Sequence, residues 1–364
     1  MQETSNTSEL ELERVDPFLK DLRAQVAAHF KNSGESPRDC PRMYLKTAIM
    51  FAWFFSSYVL LVFFTPNWWS ASLAAVSLAL AMAGIGFNVQ HDGSHRAYSD
   101  RMWLNKLTAM SMDLVGASSF HWARKHNTFH HTYTNISGED DDIKLAPFGR
   151  LAPDQKLRVL HRYQHFYLWF FYGFLTMKWQ LLDDFHNWAS GTVGTHKIGR
   201  PHGRDLAIFL GGKVVSISLA LVIPSFFHPF WLVAAFYAGT QWITGVVLSV
   251  VFQLAHVVEE ADFPSPDHAR EDLRKNWAAH QLRTTVDFAR DNRILTWYLG
   301  GLNYQVEHHL FPKVCHIHYP KISRLVEEAC RKRGIQYRAH KTMRSSLLSH
   351  YRWLHRMGQP IPQQ

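Results

Sequence analysis

Four apolar runs, set in two pairs, limit what this chain can fold into more than anything else in it. Residues 44–64, YLKTAIMFAWFFSSYVLLVFF, are long enough to cross about 30 Å of hydrocarbon as a helix. Thr65-Pro66-Asn67 is a turn, and residues 68–90 form a second run that opens on Trp68 and Trp69, as an interfacial aromatic belt would. The pattern returns at 206–223, apolar apart from Lys213, and at 231–255, with Pro224–Pro229 between the two. The expected fold class is an all-α membrane protein: four transmembrane helices as two hairpins, with interfacial helices and a cytosolic helical cap.

Neither short connection carries Lys or Arg. Nearly all of the 39 basic residues lie in the three other segments, so the positive-inside rule places those segments and both termini in the cytosol. Leu104–Phe120 and Tyr163–Leu182 are also apolar. If either crossed, histidine-rich segments described below would end on opposite faces, so both are expected to lie in the interface or re-enter. Residues 1–43 read as a polar cytosolic lead-in with an amphipathic helix from Asp16 to His29. Residues 44–340 read as the folded domain, with Leu325–Arg333 belonging to a helix with a basic end. Residues 341–364 read as a C-terminal tail whose end, GQPIPQQ, is disordered. The N-terminus resembles neither a signal nor a transit peptide, so the first run is expected to act as its own insertion signal.

Composition narrows the partners. A mean hydropathy of −0.19 beside 47% hydrophobic residues requires a substantial polar portion next to the spans. A net charge of +9 suits an anionic membrane face; no basic-aromatic stripe marks a soluble module, so nucleic acid is set aside. Cys40, Cys315 and Cys330 lack C-x-x-C spacing, which argues against a disulfide framework or a thiolate zinc site. Gly84-Ile85-Gly86 lies inside a span and is no dinucleotide fingerprint, and Gly211-Gly212-Lys213 is no phosphate loop. Lys213 is expected to snorkel or to pair internally. Glu139-Asp140-Asp141-Asp142 reads as a solvated acidic loop near a cationic electron donor or a histidine ligand, with a cation site as the alternative.

The histidines carry the chemistry. His91 and His95 are spaced to share one face of a helix, and His126 and His130 repeat the spacing with His131 alongside. His308 and His309 are again adjacent, with Gln305 one turn earlier, and His256 ends the fourth run. Adjacent rings cannot easily bind one ion from one helix, but they can serve two ions side by side. Imidazole suits iron, copper, zinc and nickel, and eight histidines exceed what structural tetrahedral zinc needs. A two-metal centre with about four ligands per ion fits the count. His161, His165, His186, His196, His202, His228, His316 and His340 are read as ordinary surface or core residues, and His121, His280 and His318 are left open.

HDGSH, HNTFHH and QVEHH resemble the three histidine boxes of the membrane-bound fatty acid desaturase superfamily. The longer strings HNTFHHTYTN and NYQVEHHLFP are similar to those of front-end acyl desaturases and related bacterial enzymes. The resemblance runs from about residue 50 to 335, and no H-P-G-G haem motif of a fused cytochrome domain occurs. It implies a cytosolic cap holding two non-haem irons. Its metal ligands carry over to His91, His95, His126, His130, His131, His308 and His309, with His256 matching a further ligand. Gln305 stands where many relatives have histidine, and an amide oxygen is a weaker iron ligand. The implied reaction is O2-dependent insertion of a cis double bond into a long acyl chain carried by a lipid or by coenzyme A. Electrons would come from a separate donor: a ferredoxin, a reductase or a cytochrome. Trp122, Arg124, Lys125 and Asn303 are candidates for contacts behind the ligands or to the headgroup, with interfacial anchoring as the alternative for the first three. The implied location is a bacterial inner membrane, or the endoplasmic reticulum in a eukaryote. The rival readings are a hydroxylase on the same scaffold, a haem- or metal-binding membrane protein, and a non-catalytic scaffold.

Overall fold

The computed structural model describes residues 16–266, 273 and 276–360. Four of its helices are long and apolar enough to cross a membrane: Pro41–Phe63, Trp68–Ser94, Gly203–Ser225 and Phe230–His256. The first starts at Pro41, a residue suited to an opening helical turn, and not at 44. Asn67 opens the second by accepting from the Ser70 amide at 3.0 Å. The second also runs past residue 90, through a π-helical turn at Gly86–Gln90, so His91 rides on the span itself. A π-turn adds a residue to the helix and re-aims the side chains after it, which is why such turns recur at functional sites.

The first two spans pack together through Met50, Phe54, Leu78, Met82 and Ile85. Polar groups inside this contact satisfy each other: Trp53 Nε1 donates to Ser77 Oγ at 2.9 Å, and Ser57 and Ser77 share a hydroxyl hydrogen bond of 2.8 Å. The fourth span lies against the segment at 164–178 through facing glycines. A Cβ on Gly245 would collide with the Gly173 carbonyl, and one on Gly173 with the Trp242 indole.

The two remaining apolar stretches are broken. Leu104–Phe120 is divided among Met102–Ala109, Ser111–Leu114 and the start of Ser119–Trp122. Tyr163–Leu182 is divided among Gln164–Tyr172, Leu175–Lys178 and the π-turn Trp179–Asp183. Neither is among the four helices of spanning length. Trp103, Leu107, Phe166, Phe170 and Leu182 point outward from them.

The lead-in forms a helix at Pro17–Ser33 whose Leu19, Leu22, Val26 and Phe30 bury at helical spacing against Ile322 and Val326 of the helix Tyr319–Lys332. Asp16 caps it, accepting from the Leu19 amide at 3.0 Å, and its other oxygen accepts from the Ala278 amide at 3.0 Å. Residues 341–364, expected as a tail, instead contain the helix Met343–Met357. Trp353, Leu354 and Met357 bury against Leu151, Leu168 and Tyr172, and His350 Nδ1 donates to the Val257 carbonyl at 2.6 Å. That helix therefore clamps the end of the fourth span. The last four residues of GQPIPQQ lie outside the described residues. Two two-residue ladders interrupt the helical fold, Thr192–Val193 with His196–Lys197 and Asp287–Phe288 with Ala339–His340.

Lys213 does not snorkel. It is buried in the third span, donating to Asp184 Oδ2 at 2.6 Å, to the Gly116 carbonyl at 2.7 Å and to the Gln180 carbonyl at 3.0 Å.

Candidate metal centre

Five elements bring the histidines together. His91 begins the last turn of the second span and His95 follows that span. His126 and His130 lie on a π-helical segment, Ala123–His130, wider than the α-helix that the spacing suggests, and His131 begins the next helix. His256 is the last residue of the fourth span. Gln305, His308 and His309 sit on the short helix Gln305–Leu310. Val306 and Leu310 of that helix join the apolar cluster of the N-terminal helix, which leaves the opposite face to the histidines.

All eight rings are buried, none more than 7% exposed. His91, His95, His126 and His308 each bring one ligand nitrogen within 4.8 Å of the others, and His130, His256 and His309 do the same. His131 groups with His308 and His309, so it links the two sets. His91 Nε2 and His126 Nε2 converge at 3.2 Å.

A second layer orients the rings. His130 Nδ1 donates to Asp140 Oδ2 at 3.0 Å, His309 Nδ1 to Gln281 Oε1 at 2.7 Å, and His256 Nδ1 to the Thr284 carbonyl at 3.2 Å. His308 Nδ1 meets the Tyr319 hydroxyl at 3.3 Å. Each bond leaves Nε2 aimed inward, the arrangement that metal-binding histidines use to settle tautomer and ring direction. The Nε2 atoms of His95, His130, His131, His308 and His309 are buried without any protein hydrogen-bond partner. Buried polar atoms are almost always paired, so five such nitrogens around one space fit a metal site and little else.

Electrostatics agree. Burial, reinforced by the neighbouring imidazoles, holds His95, His126, His131, His308 and His309 well below the usual imidazole range. They are neutral, with lone pairs free to ligate. His130 differs: burial pushes it down, but the Asp140 carboxylate outweighs burial and raises it. A ring so paired is the more basic ligand.

Gln305 belongs to the site. Its Nε2 lies 2.8 Å from His256 Nε2, beside the set of His130, His256 and His309. Trp122 stacks on His126 with ring centroids 4.4 Å apart and meets His91 edge-on, so it stands behind the ligands. Lys125 is tied down by Asp142 at 2.8 Å, and Arg124 folds over the Phe120 ring. Asn303 is fully buried, donating to the Phe288 carbonyl at 3.1 Å and to Thr296 Oγ1 at 3.0 Å, so it contacts no headgroup. The solvated reading of the acidic loop fails for Asp140, which is 2% exposed and holds His130. His121 faces Asp184 at 3.4 Å, His318 meets Cys40 Sγ at 3.1 Å, and His280 is buried outside the sets. His316 groups with Asp92 and Cys315, but both its nitrogens are engaged, by Asp92 Oδ2 and Lys46 Nζ at 2.9 Å each.

Asp140, Gln281, Thr284 and Tyr319 were not legible in the sequence. Asp140 alone left a trace, as a member of an acidic run close behind a histidine box.

A cavity of about 320 Å³ opens onto this centre. His91, His126 and Gln305 line one end, and Met82, Phe87, Leu248 and Phe252 line its walls. A polar pocket of about 210 Å³ adjoins it, sharing Trp122, Lys125, Lys144 and Trp179 and adding His186 and Asn187.

Four apolar spans and a buried polyhistidine centre facing an apolar cavity define a membrane protein with a candidate metal site beside a place for a hydrocarbon chain. The chain belongs to the fatty acid desaturase family, whose model matches residues 66–341. It is a membrane oxidoreductase that desaturates fatty acyl groups. It is 41% identical to the sn-1 linoleoyl-lipid 6-desaturase of Arthrospira platensis, over 98% of this chain and 96% of that one. It is 38% identical to the protein of the same name from Synechocystis sp., over 94% and 95% of the two chains. An acyl-lipid (8-3)-desaturase of Physcomitrium patens is 36% identical over 94% of this chain and 72% of its own length.

Proposed function

We propose that this protein uses two irons and O2 to insert a cis double bond into a lipid-linked acyl chain, on the carboxyl side of a double bond already present. The unpartnered Nε2 atoms of His95, His130, His131, His308 and His309, grouped with the His91 and His126 that line an apolar cavity, are the observation that carries this reading. One iron would be held by His91, His95, His126 and His308, and the other by His130, His256 and His309, with His131 linking the sets. A half-turn of the Gln305 amide would present Oε1 in place of Nε2 to the second set, since the two atoms occupy equivalent positions. The irons would supply oxidative removal of two hydrogens from unactivated methylenes, a reaction beyond any acid–base side chain.

The remaining work falls to the chain's own residues. Met82, Phe87, Leu248 and Phe252 would exclude water from the acyl group and hold it against the His91–His126 end of the cavity. Trp122 and Trp179 would flank its mouth, with the headgroup in the adjoining polar pocket. The relatives' names, acyl-lipid desaturases, support a lipid over coenzyme A as the carrier.

The spans would form two hairpins. The connections at 64–67 and 226–229 lack Lys and Arg, which supports a cytosolic face for the histidines. The outward apolar side chains of 102–122 and 164–182 would lie in the interface. Electrons would come from a separate ferredoxin, reductase or cytochrome, and the +9 charge suits an acidic donor.

Expression with a reductase partner, feeding of defined acyl lipids and mass spectrometry test the reaction. The expected product has lost two hydrogens between an existing double bond and the carboxyl end. A product that gains oxygen without a new double bond would make the protein a hydroxylase.

The second layer has its own test. Asp140→Ala removes the carboxylate whose Oδ2 accepts from His130 and the Asn135 amide and whose Oδ1 accepts from the Asp142 amide, so His130 loses its anchor. Iron titration of metal-depleted protein should show about 10–100-fold weaker binding. Unchanged affinity would mean that Asp140 does not orient His130.

A further inference from the structure

The cavity at the metal centre ends on a hydrogen-bonded amide pair. Gln180 Nε2 donates to Gln241 Oε1 and to the Val115 carbonyl, each at 3.0 Å, and the Tyr237 hydroxyl donates to Gln180 Oε1 at 2.9 Å. Both glutamines are buried, at 7% and 4% exposure. Beyond them lies a second cavity of about 370 Å³, lined from all four spans by residues such as Phe54, Leu78, Ala220 and Phe236. The two cavities have only Met82, Val115, Gln180 and Gln241 in common.

The bridge is built in. Gly116 has φ +104°, and a Cβ there would stand 2.8 Å from the Gln180 amide, so the chain keeps a bare backbone where that side chain lies. The Gln180 carbonyl accepts from Lys213 Nζ, itself held by Asp184 and the Gly116 carbonyl. Gln241 is fixed from the other side, because its carbonyl accepts from Thr176 Oγ1 at 2.9 Å.

We propose that the Gln180–Gln241 pair is the floor of the acyl channel. It stops the methyl end of the chain and so sets the length of acyl group that the enzyme accepts. This rests on reading the cavity at the metal centre as the acyl channel. A methyl terminus has neither donor nor acceptor. To pass the pair it would pull the buried amides apart and leave them facing hydrocarbon, where no water replaces the lost bonds. The cavity beyond is apolar, and the amide pair stands between the two beside Met82 and Val115.

Competition between acyl lipids of different length tests the floor. Gln241→Ala opens the passage and should raise the kcat/KM ratio of twenty- to eighteen-carbon chains by about tenfold, the low end of what an apolar pocket gains per methylene. The new double bond should stay at the same distance from the carboxyl end, because the entry side is untouched. Ala220→Phe fills the far cavity. It should leave the ratio of eighteen- to sixteen-carbon turnover unchanged in the otherwise native enzyme and cancel the gain in Gln241→Ala. An unchanged length preference in an active Gln241→Ala enzyme overturns the proposal. So does a fall in the eighteen- to sixteen-carbon ratio in Ala220→Phe, since the chain would then already reach past the pair. These ratios do not depend on how much protein folds, and Ala220→Phe decides the matter alone if Gln241→Ala yields no protein. Native enzyme that makes no double bond on any acyl lipid would overturn the activity; altered activity without altered length preference overturns only the floor.

Discussion

Alanine in place of His309 is expected to abolish double-bond formation and to deplete the iron proposed for the set with His130 and His256, while the protein stays folded. His309 belongs to both the set with His130 and His256 and the set with His131 and His308. Its Nδ1 is held by Gln281, so its unpartnered Nε2 has one direction to face. On the proposed two-iron assignment His95 and His256 lie in separate sets, so alanine at either should cost one iron of two and still end turnover. His340, which pairs with Glu260 at 2.9 Å outside the centre, is the control, and His340→Ala should keep metal and activity. Iron per chain by elemental analysis, read beside product formation, decides the outcome. A His309→Ala protein with full iron would dismantle the assignment of the two sets.

The largest loss of stability is expected from Asp184→Leu. Asp184 Oδ2 takes a hydrogen bond from Lys213 at 2.6 Å and one from the Ser118 amide at 2.9 Å, with side-chain exposures of 10% for the lysine and 6% for the aspartate. Removing one partner of a buried ion pair strands the other charge and costs about 3–5 kcal/mol, whereas replacing both with apolar residues is often neutral. Thermal unfolding in detergent should therefore show a marked fall in Tm for Asp184→Leu and substantial recovery in Asp184→Leu/Lys213→Met. If the double variant melts as low as the single one, the loss comes from packing and not from a stranded charge. The same experiment bears on the channel floor, because Lys213 also supports the Gln180 backbone.

The spans and the histidine boxes were legible because each is a local signal. An apolar run of membrane length must be buried in lipid or protein, and imidazoles at close spacing have few other uses. What the sequence left open or misplaced lay where a short-range reading met a long-range partner. Lys213 was expected to reach the surface or pair internally, and only packing could choose, because Asp184 is remote in sequence. Residues 341–364 looked like a tail because their helix is short and rich in Arg and His, yet Trp353 and Leu354 bury against a segment near residue 168. Asn303 looked available for a headgroup, but its amide closes a turn on Phe288 and Thr296.

The metal centre divides in the same way. The sequence alone determined which rings are present and that long apolar segments lie between the boxes. A box of adjacent histidines also implied more than one ion, since neighbouring rings diverge. Only the tertiary structure decided which rings share a space, that His308 and His309 stand where the two sets meet, and that Asp140, Gln281, Thr284 and Tyr319 turn the Nε2 atoms inward. The physical reason is that ligation needs nitrogens from five separate elements within a few ångströms. That closeness comes from helix packing and from the Val306–Leu310 face buried under the N-terminal helix, and no residue spacing encodes it.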